Sequence, residues 1–195
     1  VQFQRLKVTT PKSLIEGGLV SLGYNEILRV ELPAAKLDLG ELSPLGNVTI
    51  SGQADAQVEV TGAFGDPRIE ADATIQAFSI GDIPFGNITA AHVRFRDLVV
   101  GLTNVKATKG KSHYEMPTAT IDFGGAAGLA MDGVVTSPSF DFRDFLALWH
   151  MEDDPRFQEI EGSLATRSNV HIALGGPRDP CGGGFVDIDA HAKLK

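Results

Sequence analysis

Five histidines (His92, His113, His150, His171 and His191) and one cysteine, Cys181, are the side chains best suited to chemistry near neutral pH. No histidine falls in a His-Glu-x-x-His pattern or at metal-ligand spacing from the cysteine. Asp187, Asp189 and His191 sit two apart, so on a strand they share a face and could touch a common cation. The same alternation sets them against Val186, Ile188 and Ala190, as on any solvated strand face, and that plainer reading is preferred. His150, Glu152, Asp153 and Asp154 form a second acidic cluster, read as a charged loop after a helix. The Cys-Gly-Gly-Gly-Phe run at 181–185 lacks the Lys-Ser/Thr of a phosphate-binding loop and precedes a strand pattern, so it reads as a hairpin turn or bulge. A single cysteine excludes an intrachain disulfide and a four-thiolate zinc site. No Gly-x-Ser-x-Gly elbow occurs. These residues specify no catalytic centre, metal site or cofactor, and the chain reads as a non-enzyme.

What the sequence does specify is alternation. From residue 48 to 60 the even positions are Val48, Ile50, Gly52, Ala54, Ala56, Val58 and Val60, against polar odd positions from Thr49 to Glu59. Period two with one apolar and one polar face predicts a half-buried antiparallel strand, roughly 40 Å long at ~3.3 Å per residue. Gly62, Gly65 and Pro67 then supply turn chemistry. Alternation resumes through Ile69, Ala71, Ala73, Ile75 and Ala77. Val93 and Phe95, then Val100, Ile121, Phe123, Val170, Ile172, Val186 and Ile188 carry it to the C-terminus. The repeated strands, with turns between them and hardly a helical period, predict an all-β protein.

Only one segment departs from this. Phe142, Phe145, Leu146, Leu148 and Trp149 fit a short amphipathic helix over about 141–150, capped by Ser139 or Asp141 and ended near Pro155, with a second turn near Phe157. An internal echo relates the stretch from Gly52 to that from Gly162, each a glycine, alternating apolar positions, an Asp-Pro turn and a further strand. The expected organisation is one elongated β-repeat unit over 1–195, with approximate repeats at 48–135 and 158–195 and the helical insertion at about 139–158.

Composition narrows the partners. The net charge of −8 and sequence pI near 5.0 disfavour nucleic acid and anionic membrane surfaces. No run approaches the ~18 consecutive apolar residues of a membrane span. The chain opens in mid-pattern at Val1 and closes on a strand-like Leu194-Lys195, and so reads as part of a longer protein. Its apolar strand face is built largely of Val, Ile, Ala and Gly. Such a face can line an open trough that leaves room for a ligand, or fill a narrow, closed sandwich; both satisfy the pattern.

Three segments carry a resemblance. Gly62–Ala71 (GAFGDPRIEA), residues 80–88 (IGDIPFGNI) and residues 98–110 (LVVGLTNVKATKG) resemble the turn, connector and glycine-ended strand of the repeating unit in the TamB family, relatives of the AsmA-like proteins. The resemblance extends over most of the chain. It departs at residues 140–157, longer and more helical than a plain repeat needs, and at the glycines of 181–184. It implies long antiparallel strands in a curved, elongated, taco-like sheet whose apolar concave face forms a groove. It further implies a periplasmic section of a protein anchored in the inner membrane of a Gram-negative bacterium, partnered by a TamA-like outer-membrane β-barrel. The cargo would be phospholipid acyl chains moving between membranes, or nascent β-strands of autotransporters and other outer-membrane proteins.

In this reading the groove is lined by Val48, Ile50, Val58, Val60, Ile69, Ile75, Val93, Phe95, Val100, Ile121, Phe123, Val170, Ile172, Val186 and Ile188. Phe145, Leu148 and Trp149 form a cap or gate, with the cap preferred. The alternative is a structural or adhesin-like β-repeat with a closed, dry core and no ligand.

Overall fold

The computed structural model describes residues 1–24, 26–42, 49–123, 129–174 and 185–194. Eleven strands make up 74% of it and form one open, curled antiparallel sheet in which every strand pairs with its neighbours in sequence. They are β1 (Gln2–Thr9), β2 (Leu14–Leu22), β3 (Ile27–Asp38), β4 (Ile50–Ala63), β5 (Asp66–Ile80), β6 (Ile83–Arg96), β7 (Val99–Lys109), β8 (Ser112–Asp122), β9 (Leu129–Asp141), β10 (Ser163–Leu174) and β11 (Phe185–Leu194). Sequential pairing follows from the tight turns. The two-residue loops Phe64-Gly65, Gly81-Asp82 and Asp97-Leu98 leave the chain nowhere to go but back alongside itself.

Strict alternation carries β4 and β5, which pair continuously from Gln53↔Gln76 to Ala63↔Asp66. The first three strands lie where alternation alone assigns nothing. Gly17-Gly18 and Pro33 interrupt the period there, and β1 shifts register twice against β2.

The curl has a local cause. Four consecutive strands, β4 to β7, carry a register break or a residue at positive φ: Gly52, Ala77, Gly86 and Asn104. An extra residue in one strand bends it and increases the local twist. At Gly86 the requirement for glycine is strict. Its φ is 94°, and a Cβ there would sit 2.3 Å from the Thr108 carbonyl oxygen.

The helix expected over about 141–150 is helical only at Phe142–Leu146, and residues 147–150 continue as turns. Helix α1 (Leu39–Leu42) is a single turn after β3, and α2 spans Phe142–Leu146. Asp141 caps α2 by accepting from the Arg143 N–H at 2.9 Å. A 3-10 turn at Pro155–Phe157 is capped in the same way by Asp154. Residues 142–157 thus form a strap that lays Leu146 against the core.

Candidate functional site

Residues directly opposite one another in an antiparallel sheet share a face. Following the register from strand to strand therefore traces lines of side chains across the molecule. One such line reads Phe3, Val20, Val30, Val60, Ile69, Phe95, Val100, Ile121, Met131 and Ile172, one apolar residue from each of β1 to β10. A second line runs Leu32, Val58, Ala71, Val93, Leu102, Ala119, Gly133, Val170 and Ile188, from β3 to β11. Register thus puts Val58, Val60, Ile69, Val93, Phe95, Val100, Ile121, Val170, Ile172 and Ile188 on one face; Val186 pairs with Ile172 through the backbone, and its side chain lies outside the description. Ile75 shares it through Ala54 and Ile88. Val48 lies outside the described residues.

Exposure along the first line changes along the sheet. Phe3 is 54% exposed, while Ile121, Met131 and Ile172 are 4%, 3% and 4% exposed. Val60, Ile69, Phe95 and Val100 lie between these extremes, half-buried. The second line behaves differently at its end, where Ile188 on edge strand β11 is 37% exposed. The apolar face thus passes from open at β1, through half-buried at β2–β7, to filled at β8–β10.

What fills it is larger than the alternating pattern implies. Phe78, Tyr114 and Phe140 are buried on this face with Phe85 packed against them, and their rings meet in pairs, Phe78–Phe85 at 5.7 Å and Tyr114–Phe140 at 5.8 Å between centroids. Phe123 and Ile121 join the same cluster, and Ile50, Ile75, Phe145, Leu148 and Val170 pack on it. Bulges and loops shift these aromatics out of clean alternation, so period two alone does not single them out. Burial raises the Tyr114 hydroxyl well above the usual phenol range, and the hydroxyl donates to the Phe85 carbonyl.

The strap is tied down by polar contacts at two points. Asp144 Oδ2 accepts from the Lys111 N–H (2.8 Å), the Ser112 N–H (2.9 Å) and the Ser112 hydroxyl (2.6 Å), clasping the β7–β8 turn. The Ser112 hydroxyl in turn accepts from the Asp141 N–H at 2.8 Å. At the other end His150 Nε2 lies 2.8 Å from the Asp82 carbonyl, on the β5–β6 turn. Phe145, Leu148 and Trp149 are held between these ties over the sheet. Beside the strap, burial lowers the Lys109 pKa, and the nearby Asp144 and Glu152 carboxylates partly offset this.

The opposite face is polar. Its register line reads Glu31, Glu59, Glu70, Arg94, Gly101, Thr120, Asp132, His171 and Asp187. His92 pairs with Asp72 at 2.9 Å and His171 with Asp132 at 2.6 Å, both across adjacent strands. Asp187, Asp189 and His191 are exposed along β11. Among the described residues no three His, Cys, Asp or Glu side chains converge to hold a metal ion. In the acidic cluster after α2, Asp154 is committed to Arg156, which holds its carboxyl down at about 2. The glycine run at 181–184 lies outside the described residues. At one end of the sheet the turns between β2 and β3, β4 and β5, and β6 and β7 each present an exposed apolar side chain, Tyr24, Phe64 and Leu98 respectively.

Comparison with known proteins finds no matching family model, no matching curated protein and no matching solved structure.

Proposed function

We propose that this chain is a hydrophobic conduit, a periplasmic section of a TamB-like protein whose curled sheet carries phospholipid acyl chains between membranes or shelters the apolar face of nascent outer-membrane β-strands. The observation that carries this reading is the apolar register line from Phe3 to Ile172, which crosses strands β1 to β10 without a polar interruption. A sheet that needed only a core would have little use for such a line on strands β1–β4, where Phe3 is exposed and Val20, Val30 and Val60 are only half-buried. Covering it with hydrocarbon stabilises at roughly 25 cal/mol per Å² of apolar surface. The segments behind the TamB resemblance fall on successive hairpins, the β4–β5 turn, the β5–β6 turn and strand β7, as a repeating β unit requires.

The mechanism is passive. The half-buried residues Val58, Val60, Ile69, Ile75, Val93, Phe95 and Val100 present hydrocarbon to hydrocarbon, with Ile50 at the strap end. The hydrogen-bonding groups on the apolar face, the Tyr114, Thr166 and Ser168 hydroxyls, are already engaged with protein partners, so cargo selectivity is low. Strap residues Phe145, Leu148 and Trp149 act as a fixed cap, because Asp144 and His150 tie them to two separate turns.

A dry structural spacer is the second reading, favoured by the tight burial of Ile121, Met131 and Ile172. Native mass spectrometry of the purified chain separates the two. The conduit predicts copurified phospholipid, diminished by Val58→Asp and Ile69→Asp. A lipid-free chain that also takes up none from zwitterionic vesicles leaves the spacer.

A further inference from the structure

Between the strap and the sheet lies a cavity of about 260 Å³. Phe145, Leu148 and Trp149 line its strap side, and Val135 and Val170 are among the sheet residues opposite. No Asp, Glu, Lys, Arg or His contributes to its wall. Three hydroxyls do, and each is already engaged. Tyr114 donates to the Phe85 carbonyl, while Thr166 Oγ1 and Ser168 Oγ bond each other at 2.8 Å. Water in such a space would find few partners, whereas an apolar guest would lose nothing on entering. An apolar cavity of about 150 Å³ is enough to hold benzene. This one is larger, yet below the ~300–1,000 Å³ of sites that enclose a whole drug-sized ligand.

We propose that this cavity is a discrete, saturable site for the methyl end of one unbranched acyl chain. Its wall has nothing to bind a charged head group, so the head stays in water outside the strap. The proposal rests on the conduit reading only for the class of cargo. It differs in predicting one defined stoichiometric site under residues 145–149, where the conduit predicts diffuse occupancy along the open face.

Trp149 is the single tryptophan of the chain, and it lines the cavity, so it reports occupancy directly. An ω-brominated medium-chain fatty acid is the probe, because bromine quenches an indole on contact. The expected result is saturable one-to-one quenching of Trp149, reversed by the unbrominated acid. Val135→Phe fills the cavity and weakens binding by about tenfold or more, as removal of pocket space for a methylene group does. Leu148→Ala enlarges the cavity, and quenching then extends to a longer chain. This variant decides the matter if Val135→Phe fails to fold, as judged by its circular-dichroism melt. Val58→Asp, on the open face, leaves quenching unchanged.

Non-saturable quenching, or equal quenching in folded Val135→Phe, or its loss in Val58→Asp, overturns the proposal. So does a Leu148→Ala chain whose length preference does not move. Copurified phospholipid with an unquenched Trp149 removes this site and leaves the conduit standing. Saturable quenching in a chain that neither copurifies with nor takes up phospholipid removes the conduit and leaves the site.

Discussion

The first four strands and strands β8–β10 use the same device to opposite ends. Both place apolar residues on the same face, and a single register line joins Val30 and Val60 to Ile121, Met131 and Ile172. In the first region that face is half-open; in the second it is closed by Tyr114, Phe140, Leu129 and the strap. Alternation therefore decides which way a side chain points, and not whether anything covers it. Cover comes from large residues, from bulges that curl the sheet, and from a strap anchored at turns far away in sequence. The open region leaves apolar surface within reach of solvent; the closed region supplies the stability that lets it do so.

The sharpest way to break this contrast is to put a charge on each region. Ile121→Asp buries a carboxylate with no partner and should cost about 4 kcal/mol or more in urea unfolding, enough to abolish folding in many domains. Val58→Asp on the half-open face should cost about 1 kcal/mol or less. Equal losses would mean that something covers both regions alike.

Next in size is the curl itself. Gly86→Ala forces a Cβ against the Thr108 carbonyl and strains a φ of 94°, for an expected loss of about 2–4 kcal/mol read from the thermal midpoint. The strap comes third. Asp144→Ala deprives the Lys111 and Ser112 N–H groups and the Ser112 hydroxyl of their acceptor and should cost about 1–3 kcal/mol. Hydrogen exchange should quicken at residues 110–112 and 142–149 and stay unchanged in β1–β4. A loss of protection spread evenly over the sheet would deny the strap its local role.

The smallest effect is a pH dependence. Bonds from Arg156 lower the Asp154 pKa from 3.8 to about 2. A carboxyl with a depressed folded pKa contributes stability that is full above its unfolded value and is lost as pH falls through the folded one. The 3-10 turn at Pro155–Phe157 should therefore loosen between about pH 4 and pH 2. The carboxyl is exposed, so the change belongs in local amide chemical shifts rather than in global stability.

Much of this was legible in the residues, for physical reasons that also mark where legibility ended. The β4–β5 hairpin can be read directly, because thirteen register pairs rest on period two and one Gly-Asp-Pro turn. A helix at about 141–150, capped by Ser139 or Asp141, can be read from its apolar spacing; the structure keeps Asp141 as cap and ends the helix at Leu146, where turns take over. Strands β1–β3 escape the pattern because Gly17-Gly18 and Pro33 break it. Gly86 announces a backbone irregularity and Asn104 carries the mild left-handed tendency of asparagine, but Ala77 adopts positive φ with no signal from its residue type. The Asp144 clasp joins residues more than thirty positions apart, and no local spacing encodes it. The face looked poor in large residues because Phe78, Phe85, Tyr114 and Phe140 sit at turns and bulges, out of phase with the clean runs.

The central claim is that the open apolar face, and not the polar one, meets hydrocarbon. Neighbouring residues of β4 test it within a single strand, since Val58 and Val60 point to one face and Gln57 and Glu59 to the other. A photoreactive benzophenone side chain placed at each position in turn, in chain exposed to phosphatidylcholine vesicles, reads the contact as a lipid adduct in the mass spectrum. The account predicts adducts at positions 58 and 60 and essentially none at 57 and 59. Equal labelling of the two faces, or none at 58 and 60, would contradict it.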